Sequence, residues 1–512
     1  MKRISVLLVI LLPFLAKSQS YYQDAIRFSN TIPLGSARIQ ALGGASVALG
    51  ADPSAILSNP AGLGLYNSWE VALTPALNIT NTKGSLNSTT ISNTQTKFSI
   101  DQASFVLSST NKPESGAWLG GSWGFGVQKI NDFNSRVVYQ GTNANNSIID
   151  YFIENANGYP ASDFPNMEDA FDLTSLAYYN YLIGPWDVTD VNAPDDEYFS
   201  DVTSFFRPEV PQTETIETSG SQYQISLGYG GNFSDVFYFG FNLGIVTLNY
   251  ESTKTFTESN YDYSNTDSIE YMPLNSFNAT ERLAINGTGV NLNVGIIIRP
   301  IPAFRIGASI TTRTVYELND SYETTLGAEW NNFYYQDLIG GDTLLNSTYV
   351  ESAIIESVYT LRTPVKYALG GAFFLGKLGF ITLDAEFINY GKTKLESQEF
   401  SMGDDNDYMT ANFSNQVNLK AGIEIRLSPL RFRAGYAIND VPTNMQDNLK
   451  FKRQSFSVGA GVLLNQFYAD FALVYQDQTS QYSPYLLADY SEPVVDINSN
   501  AYRGIFTFGY KF

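Results

Sequence analysis

The feature that most constrains this chain is a two-residue alternation of apolar and polar side chains, repeated in segment after segment and broken by connections that are alternately short and long. Trp69, Val71, Leu73, Leu77 and Ile79 fall on one face of the first such segment, with Glu70, Thr74, Asn78 and Thr80 on the other. Tyr223, Ile225, Leu227 and Tyr229 alternate with Gln222, Gln224, Ser226 and Gly228, and Val290, Leu292, Val294, Ile296 and Ile298 repeat the pattern. Successive side chains of a strand point to opposite faces, so each segment reads as a strand with one greasy face. Fourteen are read, at 69–80, 97–109, 117–129, 222–231, 236–251, 281–299, 303–315, 363–376, 379–390, 415–427, 430–438, 453–464, 467–477 and 502–512. Short connections at 232–235, 300–302, 377–378, 428–429 and 465–466 alternate with long ones at 130–221, 252–280, 316–362, 391–414, 439–452 and 478–501. A membrane-crossing barrel strand needs about 9–11 residues with apolar side chains toward lipid, and such barrels have short turns at one end and long loops at the other. A soluble β-sandwich has no need of that rhythm. The expectation is an all-β, 14-stranded antiparallel transmembrane β-barrel over 69–512, set in the lipid of a Gram-negative cell outer membrane. An even strand number places both chain ends on the periplasmic side.

The two ends of the sequence agree with export to that membrane. Lys2 and Arg3, the apolar run 4–15 and the small residues of Ala16-Lys17-Ser18 read as a signal peptide over 1–18, too short to span a bilayer as a helix. At the other end Phe506, Phe508, Tyr510 and Phe512 alternate with Thr507, Gly509 and Lys511. A terminal aromatic on such a strand resembles the signal by which the barrel-assembly machinery recognises its clients. No other stretch is long and apolar enough for a transmembrane helix.

Composition removes whole classes of function. The formal charge of −21 argues against nucleic acid as a partner, which needs a basic surface. With no Cys and no His, the chain has no thiolate, no disulfide, no usual catalytic triad and none of the commonest metal ligands. The chain therefore reads as a non-enzyme, with no catalytic residue, metal or cofactor assigned. Axial haem ligation would have to use Tyr or Met. The acidic runs Asp404-Asp405-Asn406-Asp407 and Asp195-Asp196-Glu197 lack the spacing of a calcium loop and read as solvated charge.

Residues 19–68 precede the first strand and are rich in Gly, Ala and Ser. Asp52-Pro53 reads as a helix start, with the turn 54–58 ending before Pro60. The segment suits a compact plug inside a barrel. Gly35-Ser36-Ala37-Arg38, Gly43-Gly44-Ala45, Asp52 and Asn59-Pro60-Ala61-Gly62 resemble the N-terminal signature of the FadL family of outer-membrane channels for long-chain fatty acids and aromatic hydrocarbons. The stretch from Gly287 to Gly295, Arg299-Pro300, Arg305 to Ser309, Thr363-Pro364 with Gly370-Gly371, Asp384 to Tyr390, and Arg433-Ala434-Gly435-Tyr436 are similar too. The resemblance implies a barrel plugged by its own N-terminus, with hydrophobic ligand captured outside, held in a lumenal pocket and released laterally through the wall.

Several residues are candidates for that ligand. Segment 236–251 is apolar on both faces, with Phe237, Phe239, Phe241, Leu243 and Ile245 on one and Tyr238, Val246 and Leu248 on the other. One face then lines a greasy pocket, or packs on the plug or another protein. Phe171 and Tyr178 lie in a predicted helix over 165–183, within a loop that forms either an outer capture groove or its own small core. Arg38 meets either a ligand carboxylate or lumenal acids such as Asp384 and Glu386. Two functions stay open: passive uptake of hydrophobic small molecules, and service as a FadL-like subunit of an outer-membrane secretion or barrel-assembly complex with protein partners.

Overall fold

The computed structural model describes residues 21–32, 35–110, 116–160, 172–185, 196–200, 202–203, 209–263, 273–335, 343–440, 442 and 452–512. The signal segment lies outside them. The strands are β1 (Glu70–Leu86), β2 (Thr89–Thr110), β3 (Trp118–Asp132), β4 (Val210–Phe233), β5 (Phe237–Ser259) and β6 (Leu274–Ile301). β7 comprises Phe304–Thr311 and Val315–Tyr335, and β8 comprises Thr343–Glu351, Ile355–Arg362 and Lys366–Phe374. β9 (Gly379–Asn389), β10 (Asn415–Leu427), β11 (Leu430–Asp440), β12 (Lys452–Leu464), β13 (Phe467–Tyr482) and β14 (Val495–Lys511) complete the sheet. Each pairs antiparallel with the next, and β1 pairs with β14 from Glu70 opposite Lys511 to Leu86 opposite Val495. The Phe512 N–H donates to the Trp69 carbonyl (3.0 Å), so the last residue seals the seam. Closure pairs the first strand with the last, which is how a sheet satisfies its backbone in hydrocarbon.

The outward face carries the apolar half of the alternation. Val71, Leu73 and Leu77 of β1, Ile225 and Leu227 of β4, Ile296 and Ile298 of β6, and Phe506 and Phe508 of β14 are all exposed. Phe239 and Phe241 belong to this belt, at 37% and 41% exposure, against Trp118 and Trp123 respectively. Their expected lumenal role is therefore corrected. The period of two puts them outside because Tyr238, Val246, Leu248 and Tyr250 take the inside.

The strands outrun the membrane. β6 alone has 28 residues, whereas about 9–11 cross a bilayer. Much of what reads as loop at 252–280 and 316–362 is a continuation of β5 to β8 above the belt. There Thr247, Asn249 and Glu251 face out while Leu248 and Tyr250 stay inside, so an apolar-outward pattern ends although the strand does not. The long connection after β3 contributes an inner strand (Ser135–Asn143) paired to β4, then helices α4 (Ile148–Ala156) and α5 (Leu173–Tyr179). These helices share a core with the far ends of β5 to β8, through Phe152, Leu176, Phe256, Phe277, Leu326 and Trp330.

The N-terminal segment lies in the lumen as α1 (Tyr21–Ser29), α2 (Ala37–Gln40), α3 (Ala55–Ser58) and a 3-10 turn (Pro60–Leu65). Phe512 is at the short-turn end, where its neighbour Lys511 donates to the Gln466 carbonyl (2.7 Å). Tyr21 stands toward the other end. Its hydroxyl donates to Ser357 (3.4 Å), and the Tyr22 N–H donates to Asp405 (3.0 Å) on α6 (Gly403–Asn412), in the long connection after β9. The first described residues, in α1, thus pack in the far half of the lumen, while Phe512 lies at the short-turn end.

Candidate functional site

The lumen is divided along its axis. Its short-turn half is filled by residues 35–66, whose small side chains let backbone touch wall. A Cβ on Gly240 of β5 would sit 2.3 Å from the Pro60 carbonyl carbon, so only glycine permits this approach. Gly43 adopts φ +67° against the Tyr436 backbone, a conformation glycine reaches without strain. Asn59, in the plug motif Asn59-Pro60-Ala61-Gly62, does three jobs. Its Oδ1 accepts from the Ala61 N–H (3.2 Å) and starts the 3-10 turn, while its Nδ2 donates to the Val47 carbonyl (2.8 Å) and to the Ile296 carbonyl of β6 (3.0 Å). The sequence marks one helix start at Asp52; Asn59-Pro60 is a second that it does not single out. Asp384 of β9 accepts from the Ser46 and Val47 N–H groups (2.6 and 2.9 Å), tying the plug to the opposite wall.

The far half of the lumen is an apolar chamber occupied by α1. Its wall is built by Val246, Leu248 and Tyr250 of β5, Ile285 of β6, Tyr316 and Leu318 of β7, Tyr359 and Leu361 of β8, and Ile388 of β9. Phe28 is fully buried, edge-on to Phe133 and Tyr250 with both ring centroids 5.6 Å away. Tyr21 packs on Tyr359 (5.1 Å), and Tyr22 on Tyr408 of α6 (4.3 Å). Arg27 pairs with Asp24 one turn earlier and lays its guanidinium over the Tyr250 ring (4.7 Å). Burying one Phe side chain is worth roughly 1.5–3 kcal/mol, so α1 docks mainly through Phe28 and its two tyrosines. Below α1 runs a narrow cavity of about 140 Å³, lined by polar groups that include Gln128, Gln224, Asn291, Asn293 and Lys366.

The wall is split beside the chamber. β2 pairs with β1 over Thr89–Val106 but with β3 only over Gln102–Thr110. β3 breaks register between Lys129 and Asn131, and the chain then turns inside as the inner strand. Among the described residues, the β2 edge from Thr89 to Asp101 has no ladder partner on that side. Phe98 and Ile100, at the foot of this slit, face outward at 70% and 47% exposure, within the lipid-facing belt. Ile130 and Phe133, on the inner side, belong to the apolar chamber. The Tyr223 hydroxyl of β4 reaches across to the Ile100 carbonyl (3.3 Å), and buried Asp101 pairs with Arg503 of β14, so the split has a defined lower limit.

The remaining predicted residues fall as follows. Arg38 is in α2 and meets protein acids, Glu424 of β10 (3.6 Å) and Asp52 (3.8 Å), rather than Asp384 or Glu386; Glu386 accepts from Asn418 (2.8 Å). Tyr178 is in α5 and packs on the core shared with the strand ends, 5.3 Å from Tyr179 and 6.4 Å from Tyr198. Phe171 lies outside the described residues, as does Asp195. Asp405, read as solvated charge, instead accepts from α1. The residues that sequence reasoning missed are Tyr21, Tyr22 and Phe28. Tyr22, Ala25, Ile26 and Ser29 do recur at helical spacing, a signal available but masked by the small-residue character of the segment as a whole.

A closed fourteen-stranded antiparallel barrel with an apolar outer belt and its N-terminal segment in the lumen is a transmembrane β-barrel with a lumenal plug. Solved structures similar to it in fold include a FadL homologue and a hydrocarbon channel. Against a Pseudomonas aeruginosa FadL homologue the identity is 12% and the TM-score 0.56, covering 94% of this chain and 99% of that one. Against the deltaS2 mutant of the TodX monoaromatic hydrocarbon channel the identity is 11% and the TM-score 0.52, covering 93% and 98%. The chain thus has the FadL-type fold along nearly its whole length. No family model matches the sequence, and no curated protein matches it in sequence.

Proposed function

We propose that this protein is an outer-membrane channel for passive uptake of hydrophobic small molecules, of which long-chain fatty acids and monoaromatic hydrocarbons are the candidate cargoes. The observation that carries the reading is the apolar inner wall of the far lumen, whose Ile130 and Phe133 stand where β3 parts from β2. An apolar solute gains about 25 cal/mol per Å² removed from water, which a water-filled pore would not supply. In this reading α1 holds the chamber closed, cargo displaces it, and the slit releases cargo sideways into lipid. The like-folded TodX is itself a monoaromatic hydrocarbon channel, which supports the reading.

A second reading, a barrel subunit of an outer-membrane complex, is favoured by one observation. Tyr334, Tyr349 and Ile354, on the extended β7–β8 hairpin, are 65%, 64% and 62% exposed beyond the belt. Purification in mild detergent with mass spectrometry, paired with uptake of labelled decanoate and toluene by cells expressing the protein, separates the two. Uptake above that of cells lacking the protein supports the channel; no such uptake together with stoichiometric protein partners supports the subunit.

A further inference from the structure

At the short-turn mouth, on the opposite side of the plug from α1, lies a cavity of about 420 Å³ between plug residues 49–51 and the turns that join β6 to β7 and β8 to β9. Every charged side chain that lines it is an arginine: Arg38, Arg299, Arg305 and Arg426. This is unexpected in a chain with 51 acidic and 30 basic residues. The nearby carboxylates are already shared. Glu424 alone serves Arg38 (3.6 Å), Arg426 (2.7 Å) and Arg433 (2.8 Å), and Asp52 lies 3.8 Å from Arg38. Arg305 has no carboxylate within 4 Å among the described residues. Its guanidinium stacks on the Phe374 ring (4.6 Å), one nitrogen donates to the Leu49 carbonyl (2.7 Å), and its buried Nε has no acceptor. Arg299 likewise has no carboxylate within 4 Å among the described residues, and the neighbouring Tyr238 hydroxyl donates instead to Asp235 (3.3 Å).

We infer that this mouth is a binding site for an oxyanion, a carboxylate or phosphate group, held by Arg305 and Arg299 with Arg426 at the rim. Guanidinium forks match carboxylate and phosphate oxygens in pairs, and an unpaired cation taken from water is costly until an anion joins it. Leu49, Leu65 and Phe374 give the same cavity an apolar side, so a head group with a short apolar stem fits it best. The site stands whether or not the far chamber carries cargo, because the plug separates the two.

The test uses the full-length mature protein. In maltoside micelles, inorganic phosphate and hexanoate are titrated calorimetrically. In nanodiscs, native mass spectrometry counts retained phosphatidylglycerol against phosphatidylcholine. Saturable binding of either soluble probe, weakened at least tenfold by Arg305→Gln and partly kept by Arg305→Lys, marks a site for free anions. Selective retention of phosphatidylglycerol that Arg305→Gln abolishes marks a lipid head group as the source. Arg299→Gln provides the second variant, and heat-modifiable gel mobility confirms that each barrel is folded. If neither soluble probe binds and no lipid is selectively retained, or if binding is the same in both glutamine variants as in the wild type, the inference is overturned.

Discussion

At the scale of single residues, the barrel places acidic side chains where burial controls their charge. Glu258, at the far end of β5, lies well beyond the lipid-facing belt and beneath the α4 N-terminus. Ser147, the Ile148 N–H, Gln212 and Tyr261 all donate to it. Full burial outweighs those donors and pushes its carboxyl up to about 7. A carboxyl raised on folding contributes stability that is complete below its ordinary pKa near 4.5 and is lost as pH rises through 7. The loop cap built on α4 should therefore be tighter at pH 5 than at pH 8, by an amount on the order of 3 kcal/mol at most. Hydrogen exchange of residues 148–156, corrected for intrinsic rates, measures this. Glu258→Gln should hold the cap closed at both pH values, and a cap equally protected at pH 5 and pH 8 in the wild type would show that Glu258 is charged throughout.

At the scale of elements, β5 carries two greasy faces with different jobs, and the same mutation should separate them. Phe241→Asp puts a charge into lipid, at a cost somewhat below the roughly 2–4 kcal/mol of a basic residue at mid-membrane. It should lower the yield of folded, heat-modifiable barrel. Val246→Asp puts an unpaired carboxylate into the apolar cluster that holds α1, where Val246 is fully buried. It should leave assembly largely intact and cut hydrophobic uptake more than tenfold. Equal assembly yields for the two variants would mean that the faces are assigned wrongly. This two-sidedness is visible in the sequence of 236–251. The direction of each face is not, because a strand apolar on both sides has no polar marker of inside and out, and only pairing with β4 and β6 sets it.

At the scale of the whole molecule, the ladder predicts which parts cells display. A peptide tag after Tyr490, which is 87% exposed in the β13–β14 connection, should be reachable by antibody on intact cells. A tag at Asn465 in the β12–β13 turn should be reachable only after the outer membrane is breached. Labelling of 465 and not 490 on intact cells would invert the orientation. The same ladder explains why alternate connections are long. They stand on one end, where β5 to β8 and the loop helices close over the lumen.

The sequence by itself determined the barrel: the strand number, the short and long rhythm, the outward belt and a plug of small residues are all local patterns, since a strand's alternation is written in consecutive residues. It also marked Asn59 and Arg38 as plug residues. Tertiary structure alone decided what those residues do. Arg38 is neutralised by Glu424, 386 positions away in sequence, and Asp384 grips the plug backbone. α1 fills the chamber because strands distant in sequence converge there to present apolar inner faces. The slit exists because β3 leaves its ladder at a register break, and the arginine mouth because two turns and the plug meet. Each depends on curling the sheet shut, which brings remote residues within contact distance and leaves no trace in local periodicity.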